Sequence, residues 1–300
     1  MSPAVRTHLA LLGANLLYGG NYSIAKIAMP HPIAPFGFIA IRVICAVFFF
    51  HVVHWIFIRE KVSRQDLGRL FLCGVFGVAL NQLSFFKGLS LTTPINASLM
   101  MITTPIAVLL IASLSKVERL TVSKISGILC GAAGAALIIL NGQLDALHPH
   151  GQLGDIFVLI NATSYAVYLT LVKPLMARYH PLTVVKWAFT FGLLFVLPAG
   201  GKQLAAIPWH SLTVPAWLSL AYVVIGATFF TYLLNVIALT RANPSLVGTY
   251  IYLQPLIAAT IALTLGQEEL NVFKIGASAL IFAGVYLVSL RQEKRIPIPQ

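Results

Sequence analysis

Residues 94–134 read PINASLMMITTPIAVLLIASLSKVERLTVSKISGILCGAAG, and residues 244–284 read PSLVGTYIYLQPLIAATIALTLGQEELNVFKIGASALIFAG. The two stretches share residues at a constant spacing of 150 positions, and the informative matches are Pro94 with Pro244, Pro105 with Pro255, Glu118 with Glu268, Lys124 with Lys274 and Gly134 with Gly284. Apolar sequences produce chance matches among Ile and Ala, but they do not produce this set of prolines, charged residues and glycine. The pattern indicates an internal duplication.

Composition places the chain in a membrane. Hydrophobic residues make up 58% of the 300 positions, charged residues only 9%, and the mean hydropathy is +0.88. Soluble domains carry roughly 25% charged residues, whereas helices in lipid satisfy their backbone internally and need few. The net charge of +12 lies in short clusters between apolar stretches, so we expect the lipid bilayer as the partner and no nucleic acid.

Apolar stretches of about 20 residues, each long enough to cross the hydrocarbon core, predict an all-α integral membrane protein with ten transmembrane helices. The predicted spans are 7–27, 34–58, 69–89, 94–114, 122–140, 154–173, 183–200, 213–239, 244–264 and 272–291. The first is interpreted as a retained helix rather than a cleaved signal peptide. We expect one membrane domain, with the first repeat in residues 1–140 and the second in residues 141–300.

The basic residues predict the orientation. Most of the 20 Lys and Arg residues fall on one set of alternate loops, while the other set holds Lys26, Lys87, Lys202 and Lys274. Basic loops stay in the cytoplasm, so both termini should be cytoplasmic. Five is an odd number of spans, so the second five-helix repeat must be inverted relative to the first. Inverted repeats provide two nearly equivalent half-structures. When they exchange conformations, a site at the membrane midplane opens to one side of the membrane or to the other.

The stretch from Leu89 to Ile139 resembles the EamA-type domain of the drug/metabolite transporter superfamily, and the second copy matches it as well. The opening Tyr18-Gly19-Gly20-Asn21-Tyr22 is also similar to that family, although the family often has Trp where Tyr18 stands. The resemblance implies a ten-helix fold, a central cavity and, commonly, export of metabolites such as amino acids. We expect the inner (plasma) membrane of a bacterium as its location.

Polar and aromatic residues recur on one face of four predicted spans. The first span carries Asn15, Tyr18 and Tyr22, the third carries Asn81, Gln82 and Phe85, the sixth carries Asn161, Tyr165 and Tyr168, and the eighth carries Thr231, Tyr232 and Asn235. Amides and hydroxyls also join transmembrane helices to one another, and Tyr also marks membrane interfaces. Several of these residues fall near mid-span, so we predict a hydrogen-bonding substrate cavity with aromatic walls.

Two prolines lie near the centres of the fourth and ninth spans. Pro105 and Pro255 each remove a backbone donor and so leave a carbonyl of the preceding turn without its helical partner. We predict that they act as hinges, with a purely structural kink as the alternative. The polar or polarizable residues that flank them are predicted to line the cavity, and these are Asn96, Met100, Thr104, Tyr250 and Gln254.

Arg42 is the one basic residue well inside a predicted span. Charge within the membrane is costly and by default functional, so we predict that Arg42 binds a substrate carboxylate. The alternative is a structural contact with helix carbonyls or with an interface. The sequence places none of its eight carboxylates near a span centre, and it predicts no metal site and no cofactor.

The resulting hypothesis is a transporter of a small polar or zwitterionic metabolite. An intramembrane enzyme is disfavoured, because the sequence has no HExxH motif, no mid-span aspartate pair and no serine with an evident base. A non-catalytic assembly or receptor subunit is a further alternative. Gly127, Gly131 and Gly134, together with Gly276 and Gly284, permit close helix packing within a monomer or across a homodimer.

Overall fold

The computed structural model describes residues 3–114, 122–141, 150–234 and 253–289. Within those ranges all regular secondary structure is helical. In the first half, the helices are α1 (Pro3–Ala28), α2 (Pro35–Phe57), α3 (Arg64–Gly74), α4 (Leu80–Leu91), α5 (Pro94–Met101), α6 (Thr104–Leu114) and α7 (Val122–Asn141). In the second half, they are α8 (Gly151–Met176), α9 (Pro181–Ala205), α10 (Val214–Ala221), α11 (Leu253–Thr264) and α12 (Val272–Ser289).

Proline fixes where several of these helices begin. Pro35, Pro94 and Pro181 each stand in the first helical turn, where a missing N–H is not needed and the ring presets the helical φ. Thr93 caps α5 by accepting a hydrogen bond from the Asn96 backbone N–H at 3.3 Å. Local chemistry thus sets the ends of elements whose interiors are uniformly apolar.

Among the described residues, six helical segments are long and apolar enough to cross a membrane. They are Pro35–Phe57, Arg64–Leu91, Pro94–Ile111, Gly151–Met176, Pro181–Ala205 and Val214–Leu234. Large apolar side chains cover the outside, including Phe57 at 76% exposure and Leu114 at 84%. Such a surface suits lipid rather than water. The protein is therefore an integral membrane protein, while the ten-span count stays a prediction because residues 235–252 lie outside the described ranges.

Two helix pairs pack closely and run antiparallel. Along α7 and α12, Gly134 contacts Ala277 and Ile281, and Gly284 contacts Gly127 and Gly131. A Cβ placed on Gly284 would lie 2.6 Å from the Gly127 carbonyl oxygen, so only small residues allow this approach. Later residues of α7 therefore contact earlier residues of α12, which is antiparallel packing.

The pair α2 and α9 has the same sense. Gly37 packs on Gln203 and Gly200 packs on Phe36, while the rings of Phe50 and Phe189 lie 5.4 Å apart at the other end of the pair. In each pair, a helix of the first half meets the helix that the repeat spacing assigns to the same place in the second half.

Two wide helical turns interrupt the third and eighth spans. The π-helical segment Val75–Ala79 separates α3 from α4, and a second one, Tyr222–Phe230, follows α10. Shifted by the repeat spacing, the first segment falls inside the second. Wide turns of this kind are rare and are frequent at functional sites.

Candidate functional site

Tyrosines from three helical spans meet at the centre of the protein. The rings of Tyr165 and Tyr168 stack with their centroids 5.8 Å apart. Tyr232 lies close enough to both, and to Tyr18, to interact with them electrostatically. Its ring also packs edge-on against Phe50 at 5.6 Å. The structure therefore brings together the tyrosines that the sequence placed on the first, sixth and eighth spans.

Arg42 joins this cluster from α2. Its side chain is only 5% exposed, its Nε donates to Thr228 Oγ1 at 2.5 Å, and its guanidinium lies 5.2 Å from the centre of the Phe86 ring. In the described part of the chain, its two terminal nitrogens have no hydrogen-bond or ion-pair partner. A buried guanidinium whose terminal donors have no described partner is chemically suited to contact an anionic group.

The wide turn of the eighth span provides the partner for Arg42. Thr228 Oγ1 donates to the Val223 carbonyl at 2.8 Å, and Thr231 Oγ1 donates to the Gly226 carbonyl at 2.9 Å, both five residues back. These hydroxyls satisfy carbonyls that the wide turn leaves short of donors. Sequence reasoning missed Thr228 and Phe86, because nothing in the pattern shows which residues of other helices face Arg42.

A second polar chain links α1 to α11. Gln254 Nε2 donates to Asn15 Oδ1 at 2.9 Å, and the Tyr22 hydroxyl donates to Gln254 Oε1 at 3.4 Å. The Asn15 amide donates to the Leu11 carbonyl at 2.8 Å, and the Tyr22 ring packs edge-on against Phe85 at 5.4 Å. Four candidates from the sequence, Asn15, Tyr22, Phe85 and Gln254, are thus connected by contacts between α1, α4 and α11.

Asn81 and Asn161 take part in helix packing. The Asn161 amide donates to the Asn81 carbonyl at 2.8 Å, and the Asn81 amide donates to the Asn161 carbonyl at 3.3 Å. This reciprocal pair joins α4 to α8 in the way polar residues commonly join transmembrane helices. Gln82 is buried nearby at 4% exposure, and its Oε1 has no partner among the described residues.

A small cavity of about 10 Å³ lies between Tyr168 and Tyr232. Its other lining residues are Gly77, Val78, Val185, Ala188 and Phe189. Pockets for drug-sized ligands measure roughly 300–1,000 Å³, so this conformation is closed around the cluster. Gly77 belongs to the wide turn of the third span and packs directly on the Tyr168 ring.

The fourth predicted span is interrupted next to Pro105. Helix α5 ends at Met101, α6 begins at Thr104, and a turn separates them. The Met101 carbonyl accepts from the Thr104 hydroxyl at 2.7 Å, so it already has a donor in this conformation. Met100 is fully buried. Pro255 is buried within α11, and the hinge role of both prolines stays a prediction.

Two candidates, Asn235 and Tyr250, lie outside the described residues. Within the described ranges, no group of three or more His, Cys, Asp or Glu side chains is placed to hold a metal ion.

Two buried carboxylates escaped the sequence reasoning. Asp155 is 0% exposed, and the Glu268 side chain is 2% exposed and lies 2.7 Å from the Lys274 ammonium. Asn96, predicted to line the cavity, interacts with Asp155 instead. The sequence did hold one indication that Glu268 has a role, because the repeat places Glu118 at the equivalent position of the first half.

The described helices define an integral membrane protein with a polar, aromatic interior. The pattern of the EamA-like transporter family matches this chain twice, over residues 5–140 and 152–290. The chain therefore belongs to the EamA-like transporter family, and the resemblance seen in the sequence is confirmed.

Individual relatives agree with this assignment. An uncharacterized transporter of Archaeoglobus fulgidus is 29% identical over 294 residues, which cover 96% of this chain and 99% of that relative. A probable terminal-alkyne amino-acid exporter of Streptantibioticus cattleyicolor is 28% identical over 293 residues, covering 96% of this chain and 88% of the exporter. A crystal structure at 20% identity has a TM-score of 0.62 and covers 98% of this chain and 100% of the other, which supports the fold alone.

Proposed function

We propose that the protein transports a small polar or zwitterionic metabolite, of the amino-acid class, by alternating access around the tyrosine cluster. The observation that carries the proposal is Arg42, a buried cation whose terminal nitrogens have no partner among the described residues. A guanidinium presents a planar fork of donors that matches the two oxygens of a carboxylate. Its Nε is held by Thr228, which fixes the plane of that fork.

The surrounding aromatic residues suit the other end of a zwitterion. The faces of Tyr18, Tyr165, Tyr168 and Tyr232 can stabilise an ammonium through cation–π contacts, worth about 0.5–2 kcal/mol each. Their hydroxyls can donate to and accept from polar groups of the substrate. The relative named as a probable amino-acid exporter supports both the substrate class and export as the direction.

In the proposed mechanism, two inverted five-helix repeats, residues 1–140 and 141–300, exchange conformations and so open the site to one side of the membrane and then to the other. Three observations support it. The family pattern matches twice, the pairs α7 with α12 and α2 with α9 are antiparallel, and wide turns occupy corresponding positions. We place both termini in the cytoplasm of a bacterium and propose a monomer or homodimer in its inner membrane. We propose no enzymatic activity, because the family is one of transporters.

Transport by purified protein in liposomes tests the substrate class. Vesicles loaded with an unlabelled amino acid should accumulate the labelled one by counterflow, and the matching amine that lacks the carboxylate should not compete. Arg42→Ala should abolish this discrimination. The matched control is Arg59→Ala, because Arg59 also lies over an aromatic ring, that of Trp55 at 5.8 Å, but at the exposed end of α2.

The result would count against the proposal if no amino acid in a full panel gave counterflow while a known transporter did. Equal effects of Arg42→Ala and Arg59→Ala would show that the buried arginine is not the carboxylate site. Reporter tags inserted after Glu118 and after Glu268 test the inverted repeat separately, since they should lie on opposite sides of the membrane.

A further inference from the structure

Six buried or half-buried polar residues meet where α1, α8 and α12 approach the junction of α4 with α5. They are Lys26, Thr92, Asn96, Asp155, Glu268 and Lys274, here named the Asp155 cluster. Asp155 is 0% exposed, and the Glu268 and Lys274 side chains are 2% and 9% exposed. Helix packing beside it is tight, because Gly154 lies against the Thr92 backbone. The cluster is therefore enclosed by closely packed helices.

Every cation of the cluster already has a partner other than Asp155. Lys26 Nζ donates to the Thr92 carbonyl at 2.5 Å. Lys274 Nζ pairs with Glu268 at 2.7 Å and donates to the Glu269 carbonyl at 3.0 Å. Glu268 accepts in addition from the Ile95 backbone N–H at 2.9 Å.

Asp155 has one satisfied oxygen and one that is not. Its Oδ1 accepts from the Thr92 hydroxyl. Its Oδ2 is buried and makes no hydrogen bond of good geometry in the described ranges, although the Asn96 amide also interacts with the carboxyl group. Burying an ionised oxygen without a donor is unfavourable, and the nearby Glu268 adds charge of the same sign. Lys274 acts in the opposite sense on Asp155, but it is paired with Glu268. A proton on Oδ2 removes both penalties.

We propose that Asp155 is a proton-binding site that links protonation to the closing of this end of the molecule. In the packed arrangement Asp155 carries a proton on Oδ2. When the helices separate, water reaches the carboxyl group, the proton passes from Oδ2 to water, and the open arrangement is favoured. The inference rests on the proposed function only in taking this opening to be a step of transport.

The charged groups that face Asp155 are few. They are Glu268 from the turn between α11 and α12 and Lys274 from α12, while Lys26 from α1 interacts with Glu268. Helices α4 and α5 contribute the uncharged Thr92 and Asn96. In α7 the one charged residue is Lys124, two positions after Val122, the first described residue of that helix.

Cysteine labelling at Ser23 tests the proposal without any substrate. Ser23 is 0% exposed, and its carbonyl accepts from the Gln267 amide at 3.3 Å, next to Glu268. Ser23→Cys is made in a background in which the three native cysteines are alanine, and the protein in lipid nanodiscs is treated with a charged methanethiosulfonate. Thiol reactivity itself rises with pH, so each rate is divided by that of Ser211→Cys, an exposed position.

With Asp155 present, the normalised rate should rise by at least about fivefold between roughly pH 5 and pH 8, since proton-linked equilibria change by up to tenfold per pH unit. Asp155→Asn, which resembles the protonated acid, should label slowly at every pH. Asp66→Asn is the matched control, because both oxygens of Asp66 have partners, Arg178 and Tyr179, and it should keep the wild-type pH profile.

Glu268→Gln is a second variant, for which the direction of the pH shift is predicted, and it serves as the test should Asp155→Asn fail to fold. Removing the negative charge beside Asp155 favours its ionised form, so the labelling midpoint should move to lower pH. An unchanged or higher midpoint overturns the proposal, as does a pH profile in Asp155→Asn equal to that of wild type. Failure of the transporter proposal would instead appear as absent counterflow with this labelling profile intact.

Discussion

The packing of α7 against α12 makes a quantitative prediction for two glycines of one helix. In Gly284→Ala, the added methyl carbon would lie 2.6 Å from both the Gly127 carbonyl oxygen and the Gly131 backbone nitrogen. Neither atom can rotate away, because both belong to the backbone, so the helices must separate. In Gly276→Ala, the added carbon would meet no atom within 4 Å.

The two changes share the same gain in helix propensity, about 1 kcal/mol for Ala over Gly. Forcing atoms into a packed interface costs about 1–3 kcal/mol, and this cost falls on Gly284→Ala alone. We therefore expect Gly284→Ala to unfold with a free energy about 1–3 kcal/mol lower than Gly276→Ala. Because Gly134 meets the Ala277 carbonyl in the same way, Gly134→Ala should show a similar loss.

Reversible unfolding of the purified protein in mixed detergent micelles measures this difference. Comparing two substitutions in one helix cancels the effects of the micelle and of the unfolded state. If Gly284→Ala were within about 0.5 kcal/mol of Gly276→Ala, as expected of surface positions, the close antiparallel approach of α7 and α12 would be refuted.

Other substitutions test the interior. Asn161→Ala should reduce the unfolding free energy by about 0.6 kcal/mol and more than Asn81→Ala does, since its hydrogen bond is shorter, 2.8 Å against 3.3 Å; the reverse order would contradict the reciprocal pair. Thr228→Val should lower counterflow by about tenfold and Thr228→Ser should not, because an unpaired buried donor costs about 1–3 kcal/mol and leaves the Arg42 guanidinium unfixed; equal activity of the two variants would show that the hydroxyl does not position Arg42. Asp66→Asn should change the unfolding free energy by less than about 1 kcal/mol, since the arginine that pairs with it is 64% exposed, and a larger loss would mean that the pair contributes far more than exposed ion pairs do.

The sequence was a good guide wherever one local rule decides the structure. Helix starts at Pro35 and Pro181 follow from the fixed φ of proline, and they fall within two residues of the predicted span starts at 34 and 183. The interruption of the fourth span follows from the lost donor at Pro105. These features need no knowledge of the neighbouring helices.

Features that depend on tertiary contacts could not be predicted. The apolar pattern is the same in an α-helix and in a π-helical turn, so Val75–Ala79 and Tyr222–Phe230 leave no trace in it. Asp155 stood at the predicted edge of its span, where a carboxylate meets water. In the structure α8 begins at Gly151, Gly154 packs against the Thr92 backbone, and Asp155 is fully buried.

The same limit applies to the candidate site. The stripes on four spans were visible from spacing, but spacing does not distinguish a residue that lines a cavity from one that joins helices. Asn81 and Tyr168 belong to equivalent patterns, yet the first is bonded to a neighbouring backbone and the second borders the cavity. Only the relative rotation of the packed helices separates the two cases.

The wide turns have a consequence for comparing this chain with its relatives. A π-helical turn arises when a helix accommodates one more residue than its hydrogen-bonding ladder requires, and that residue rotates everything beyond it by about 100°. Relatives with a regular ladder at Val75–Ala79 should therefore align with this chain through a one-residue gap. Deleting one residue there should turn the remainder of that span away from its neighbours, while the preceding turns keep their contacts.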